Sequence, residues 1–178
     1  MKRSRIVFLS VLCFFALFVS VHAFAQEEKI TVEGVKLILN TTKDLTGKDM
    51  SGLDLSGIDF SNAVIKKANL NGAKLVGAKF NKANLNFSTF KKANLKNADL
   101  KGASVCPADF GGASLVNADL RGVDFKPIEF PFSGTDLSGA DFEGADIAGV
   151  DFTGAKIKKA KNLHKAVNAK GAKGLKLK

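Results

Sequence analysis

The chain has no tryptophan and no tyrosine, and only three prolines, two cysteines and two histidines in 178 residues. Two cysteines exclude a disulfide-stapled scaffold. Two histidines leave almost nothing for a multi-histidine metal centre. What is plentiful is phenylalanine (15), glycine (17) and basic charge: 27 basic against 17 acidic residues, a formal net charge of +10. The 46% hydrophobic and 25% charged fractions are ordinary for a chain that builds a core. The length fits one folded unit.

The first residues read as an address. Met1-Lys2-Arg3-Ser4-Arg5 is a basic opening, and an apolar run extends from Ile6 to Val21, broken only by Ser10 and Ser20. His22-Ala23-Phe24-Ala25-Gln26 then offers small residues at 23 and 25. This is a signal peptide over 1–25, cut after Ala25 or alternatively after Ala23, and it implies a periplasmic or secreted protein. The competing reading is an uncleaved anchor helix over 6–25. Cys13 lies in mid-run, the wrong place for a lipoprotein cysteine. Cleavage leaves one thiol, Cys106, either inert or a point of intermolecular pairing.

A period of five fills most of the remaining chain. Every fifth residue from Leu45 through Met50, Leu55 and Phe60 to Phe130 is apolar, and after a two-residue slip the series resumes at Leu137, Phe142, Ile147, Phe152 and Ile157. The position two before is small or apolar from Leu53 onward and mostly alanine, with Ser88 and Thr135 as mild exceptions. The position two after is glycine in twelve repeats. An α-helix advances about 500° in five residues, so the apolar positions would wander around it. A flat strand would send them to alternate faces. Apolar positions two apart do fit a short extended side with both residues inward, and the remaining positions must turn a corner. Four such sides close a coil, and coils stack about 4.8 Å apart. The result is an all-β solenoid.

Units such as Ala68-Asn69-Leu70-Asn71-Gly72, Ala98-Asp99-Leu100-Lys101-Gly102, Ala118-Asp119-Leu120-Arg121-Gly122 and Ala140-Asp141-Phe142-Glu143-Gly144 resemble the A-(D/N)-L-x-x pattern of the pentapeptide-repeat family. The resemblance covers about 43–160. It implies a right-handed quadrilateral parallel β-helix with four units per coil, nearly six coils and roughly 28 Å long. Lys43 and Lys48 replace the small inward residue in the first two units, so that end coil is expected to fray.

A solenoid needs caps. Residues 26–42 are expected to cap the first coil, with Val32, Val35, Leu37, Ile38 and Leu39 laid over it as a short helix broken at Asn40. Residues 161–178 read as a lysine-rich tail, with Leu163, Ala166 and Val167 as a partial cap. The slip near 131–135 contains Pro131 and Gly134 and reads as a bulge that offsets the rod. Units twenty residues apart should stack, which predicts an inner ladder of Phe90, Phe110 and Phe130. The same rule predicts an outer corner column of Lys67, Phe87, Pro107 and Pro127. Phe87, Cys106, Pro107, Pro127 and Phe132 are therefore a candidate ridge for a protein partner or a homodimer; the competing reading is corners without a role.

Charge is zoned. From Ser61 to Ala98 there are eight lysines and no acid. From Asp99 to Ala155 ten acids meet three bases, and from Lys156 on nine lysines meet no acid. Lys158, Lys159, Lys161, Lys170, Lys173, Lys176 and Lys178 are candidate contacts to an anionic membrane or wall surface; the competing reading is a solvated tail. The lysines of 61–98 form a belt on all four sides with no aromatics interleaved for base stacking. Export argues against nucleic acid as partner. Stacked acids such as Asp99, Asp119 and Asp141 read as corner-satisfying groups in preference to a cation site.

No phosphate loop, metal spacing or positioned nucleophile is present, so the chain is expected not to be an enzyme and to need no cofactor. The reading is an exported structural or protein-interaction scaffold. The alternatives are an envelope protein tethered by its basic end and, as the resemblance implies from acidic members that mimic DNA, a topoisomerase-protecting protein. The near-neutral body and the export signal count against that last reading.

Overall fold

The computed structural model describes residues 29–125, 132 and 134–175. The signal-peptide expectation for 1–25 lies outside them. No described helix is long and apolar enough to cross a membrane.

Each five-residue unit satisfies its backbone in the same way. Leu45 N–H donates to Val64 O (2.7 Å), Val64 N–H donates back to Lys43 O (2.9 Å), and Gly47 N–H donates to Lys66 O (2.8 Å). Parallel bridges repeat this register: Asp44 pairs with Val64, Asp49 with Asn69, Asp54 with Lys74 and Asp59 with Lys79, each one coil on. Corners are tight turns. Ala63 N–H donates to Phe60 O at 3.0 Å, and Asn62, the third turn residue, has φ +60°. Positive φ at that position is the type II signature and favours glycine, as at Gly72 with φ +65°. Because a corner follows every short side, the described ladder consists of isolated bridges and no extended strand.

The large residues stack inward in four columns. Leu55, Leu75 and Leu95 are fully buried, and so are Phe60 and Phe80, whose rings stack 4.9 Å apart. The slot two residues earlier is buried too and is mostly alanine, with Val123 and Val150 also accommodated there. Ser88 and Thr135 occupy that slot with a hydroxyl. Ser88 Oγ accepts from Ala68 N (3.1 Å) and donates to Ile65 O, and Thr135 Oγ1 donates to Phe110 O at 2.8 Å. Neither buried hydroxyl is left unpaired, which is why both are tolerated.

The aromatic ladder departs from expectation. Phe90 stacks on Phe110 at 4.9 Å, but the next ring is Phe132 at 6.0 Å, followed by Phe152 at 5.4 Å. Phe130 lies outside the described residues. The bridge register explains the change: Ser104 pairs with Asp124, but Ser114 pairs with Asp136 and Asp119 with Asp141, two residues further on. The coil absorbs its extra pair between Phe125 and Phe132, earlier than the slip expected near 131–135. Phe132 is therefore 3% exposed inside the stack and is no part of an outer ridge.

The outward Asp or Asn of each unit serves its own corner. Asp44, Asp49 and Asp59 Oδ1 accept from the N–H two residues on at 2.9, 2.9 and 2.8 Å, and Asp119 and Asp141 do the same at 3.0 and 3.1 Å. These are Asx turns. Hydroxyl and backbone donors at the following residues hold Asp44, Asp54, Asp59, Asp136 and Asp151 below the ordinary carboxyl value of 3.8, against the opposing pull of burial. Asparagine at the turn itself can instead reach the next coil: Asn71 Oδ1 accepts from Lys91 N at 2.8 Å. Asn81 has lost that option, because Asp99 takes Lys101 N at 3.0 Å, and its buried Oδ1 has no partner.

At the first coil, α1 (Val32–Asn40) starts at Thr31, whose Oγ1 accepts from Gly34 N at 3.1 Å. It buries Val35 and Leu39, while Val32 and Ile38 pack partly. Leu37, expected over the coil, is 65% exposed because the 3.6-residue period turns it outward. Leu45 and Met50 are fully buried, so the first coil is closed and not frayed. Lys43 is exposed, with φ +56° and its N–H on Ile38 O at 2.8 Å.

The segment read as a tail from 161 is a further coil. Lys161 pairs with Asp141, Val167 with Asp146 and Lys173 with Asp151. Its units are six residues long: Asn162 and Asn168 take the left-handed corner, and 3-10 turns Leu163–Lys165 and Ala169–Gly171 add the extra residue. The signal was present as Ala160, Ala166 and Ala172, six apart, and a period of five passes over it.

Two outcomes test this architecture. Leu95→Lys should cost about 3–5 kcal/mol, having no partner in the stack, and Lys96→Glu under about 0.5 kcal/mol, by urea denaturation. Equal tolerance would contradict the inward and outward assignment. The depressed aspartates stabilise the fold fully above their unfolded values and lose that contribution as pH falls through the folded ones. The thermal midpoint should hold from neutrality to about pH 5 and decline below about pH 4. A midpoint unchanged to about pH 2 would refute the corner assignment.

Candidate functional site

The side that carries Leu45, Ile65, Leu85, Val105 and Phe125 inward ends, at each coil, in the corner predicted as a ridge. Lys67, Phe87 and Pro107 do stack there; Phe87 N–H donates to Pro107 O at 2.7 Å. Pro107 has no N–H to pass on, so the rung stops at this level. Cys106 sits beside it, half-buried, with its N–H on Asn86 Oδ1 at 2.8 Å. Asn86 Oδ1 also accepts from Ser104 Oγ at 2.8 Å, so one amide ties the ridge to the face. Burial, then the Asp124 carboxylate, pushes the Cys106 thiol up, away from the reactive thiolate. Pro127 lies outside the described residues, and Phe132 is inside the core.

Phe87 is the anomaly of this ridge. It is 58% exposed and holds φ +64°, an angle taken at the other described corners only by Gly, Asn or Lys. A bulky residue in the left-handed region stores strain of about 1 kcal/mol or more. Phe87 therefore gains little from folding where it stands.

The candidate lysines are distributed around the last coils. Lys158 and Lys159 are at a corner, Lys159 with φ +60°, and Lys161 and Lys173 occupy bridge positions above Asp141 and Asp151. Lys170 lies in the 3-10 turn Ala169–Gly171. Lys176 and Lys178 lie outside the described residues. Lys165, not among the residues expected to bind, reaches Glu143 at 3.1 Å. The earlier lysine belt also stands on all four sides: Lys66 and Lys67, Lys91 and Lys92, Lys74 and Lys96, Lys79 and Lys82 fall in different columns.

Nothing described offers a reaction centre. His164 is exposed beside a shallow groove lined by Ala148, Ala166, Asn168, Ala169, Lys170 and Gly171, with no carboxylate or nucleophile. Among the described residues no group of three or more His, Cys, Asp or Glu could hold a metal ion.

The repeat register, the left-handed corners and the stacked interior meet a known sequence pattern. The family model for pentapeptide repeats matches in eight copies over residues 44–81, 68–105, 108–126 and 132–161. The chain belongs to the pentapeptide-repeat family. The match breaks at 127–131, where the register gains two residues, and ends at 161, where the six-residue units begin. The family's β-helix is the fold seen here.

No curated protein matches this chain. Among solved structures it is similar to Rfr23, a pentapeptide repeat protein from the cyanobacterium Cyanothece 51142. That likeness has 20% identity over 77% of this chain and 99% of that one, TM-score 0.47. A pentapeptide repeat protein from the Arabidopsis thaliana thylakoid lumen is 31% identical over 56% of this chain and 68% of its own, TM-score 0.35. Trypsin-treated QnrB1, a plasmid-mediated fluoroquinolone resistance protein, is 23% identical over 66% of each chain, TM-score 0.44.

The strain at the corner gives a stability prediction for this pentapeptide-repeat chain. Phe87→Gly should raise stability by about 0.5–1 kcal/mol in urea denaturation, since glycine takes the left-handed angle freely. A loss of similar size would mean that the ring packs on the rod and is no spare contact.

Proposed function

We propose that this chain is an exported, non-enzymatic scaffold whose outer surface binds a protein partner. One observation carries the reading: the repeat spends its large apolar side chains on the interior and leaves outer sides of polar and charged residues, with Phe87 the one strained, exposed aromatic among the described residues. A filled solenoid has no room for substrate, so its chemistry is that of its surface. Export rests on the basic, apolar and small-residue succession of residues 1–25.

A second reading is favoured by the last coil. Lys158, Lys159 and Lys170 project from ordered backbone without an acid in that stretch of sequence, and an anionic bilayer would attract them at about 1 kcal/mol each. DNA mimicry, the third reading, draws less support: the lysine belt opposes the acidic field it needs.

Fractionation with N-terminal sequencing tests export. The expected product is extracytoplasmic and starts at Gln26, or at Phe24 for the alternative cut; full-length cytosolic protein would end this reading. Affinity capture with Phe87→Asp as control tests the partner surface, and a partner retained equally by both forms would move the contact off this ridge. For the second reading, replacing Lys158, Lys159 and Lys170 by Gln should weaken binding to phosphatidylglycerol vesicles. It should leave the fold intact, unlike deletion of residues 156–178, which would remove a coil.

A further inference from the structure

The four outer sides differ in how charge runs along them, and one is the complement of its own reverse. It is the side joined by the bridges Asp59–Lys79–Asp99–Asp119–Asp141–Lys161. Its first coil presents Asp59, its second Lys79 and Lys82. Its third and fourth carry one charge of each sign, Asp99 with Lys101 and Asp119 with Arg121. Its fifth presents Asp141 and Glu143, its sixth Lys161 and Lys165. Coil by coil the net charge is negative, positive, zero, zero, negative, positive.

We propose that this side is the contact face of an antiparallel homodimer, with a second copy of the chain as its occupant. A two-fold axis at the rod's middle brings first coil against sixth, second against fifth and third against fourth. Asp59 then meets Lys161, and Lys79 and Lys82 meet Asp141 and Glu143. At the centre the diagonal pairs are Asp99 with Arg121 and Lys101 with Asp119. The centre is also a shallow open groove, where Gly102 and Gly122 stack at the corner and let backbones approach.

The other sides match less well. About the same axis Asp44 meets Asp146 on one side and Asp49 meets Asp151 on another, like against like, and the seventh level that these two sides carry, Val167 and Lys173, is left without an opposite coil. On the side of Asp54 the ends match, but Lys96 faces the coil of Ser114, which holds no acid there. Within one copy Arg121 grips Asp119 through Nε and a terminal nitrogen, so the central diagonal pairs form only by exchange with that pair, and Lys165 reaches Glu143; the contact therefore rests mainly on Asp59, Lys79, Lys82, Asp141 and Lys161. This face is distinct from the Phe87 ridge, and the contact does not depend on export.

The contact is small. A side roughly 28 Å long and about 10 Å wide covers on the order of 300 Å² per copy, well under the ~1,200 Å² in total of stable complexes. The dimer is therefore weak, electrostatically steered and sensitive to salt.

Sedimentation equilibrium of the purified chain tests this. Dimer should be present in about 20 mM salt at high protein concentration and lost in about 0.5 M salt. Lys82→Glu alone and Glu143→Lys alone should each weaken association about tenfold, and the two together should restore it. Lys82 and Glu143 stand three coils apart in one copy, so restoration reports a contact between copies. A chain that is monomeric in low salt, a dimer indifferent to salt, or single exchanges that change nothing would each overturn the proposal. So would failure of the double exchange to restore association while circular dichroism shows the fold unchanged.

Discussion

Every feature of this rod depends on one constraint: backbone hydrogen bonds between coils fix the spacing between layers at about 4.8 Å. A side chain one coil on must then sit directly over its predecessor, whatever its chemistry. In the core this makes columns of Leu on Leu and Phe on Phe, as in the 4.9 Å stack of Phe90 on Phe110. On the surface it sets Lys74 over Asp54 and Lys91 Nζ 3.1 Å from Asp109. The solenoid thereby turns a one-dimensional spacing in sequence into neighbours in space, and a charge pattern along the chain into a charge pattern along a face.

The same constraint makes corners costly. Most must change direction within two residues through a left-handed angle that only glycine takes freely. Where other residues stand there, they show what else the site is asked to do. Asn117 and Asn97 tolerate the angle through their short side chains. Phe87 has no such excuse, and Pro107 above it breaks the rung of hydrogen bonds. The corner that holds both, close to the raised-pKa thiol of Cys106, departs from the regular corner pattern of the five-residue units.

Much of this was legible from spacing alone. The inward column from Leu45 to Phe125, the small-residue column of Ala63 and Ala68, and the corner alignment of Lys67, Phe87 and Pro107 all come from counting in fives and twenties. So does the role of Asp119 and Asp141 at their corners. Four points did not. The extra residue pair could be placed anywhere between Phe125 and Leu137 with the apolar pattern preserved, so Phe132 holds the place in the ladder expected of Phe130. Leu37 reads as inward because apolar residues crowd α1, although a helix offers only one face to a coil. Lys43 and Lys48 suggested a loose end that α1 in fact closes. The last coil changes period from five to six, and its lysines resemble a solvated tail when read in order.

Local pattern thus determines that the chain winds, how many residues make a coil and which side chains point in, because each unit repeats one short-range rule of sterics and hydrogen bonding. Tertiary structure decides which coil absorbs an irregularity and where the winding continues past the repeat. Those choices depend on whether a residue finds its ladder partner one layer away, a condition set by the neighbouring coil and invisible within any five residues.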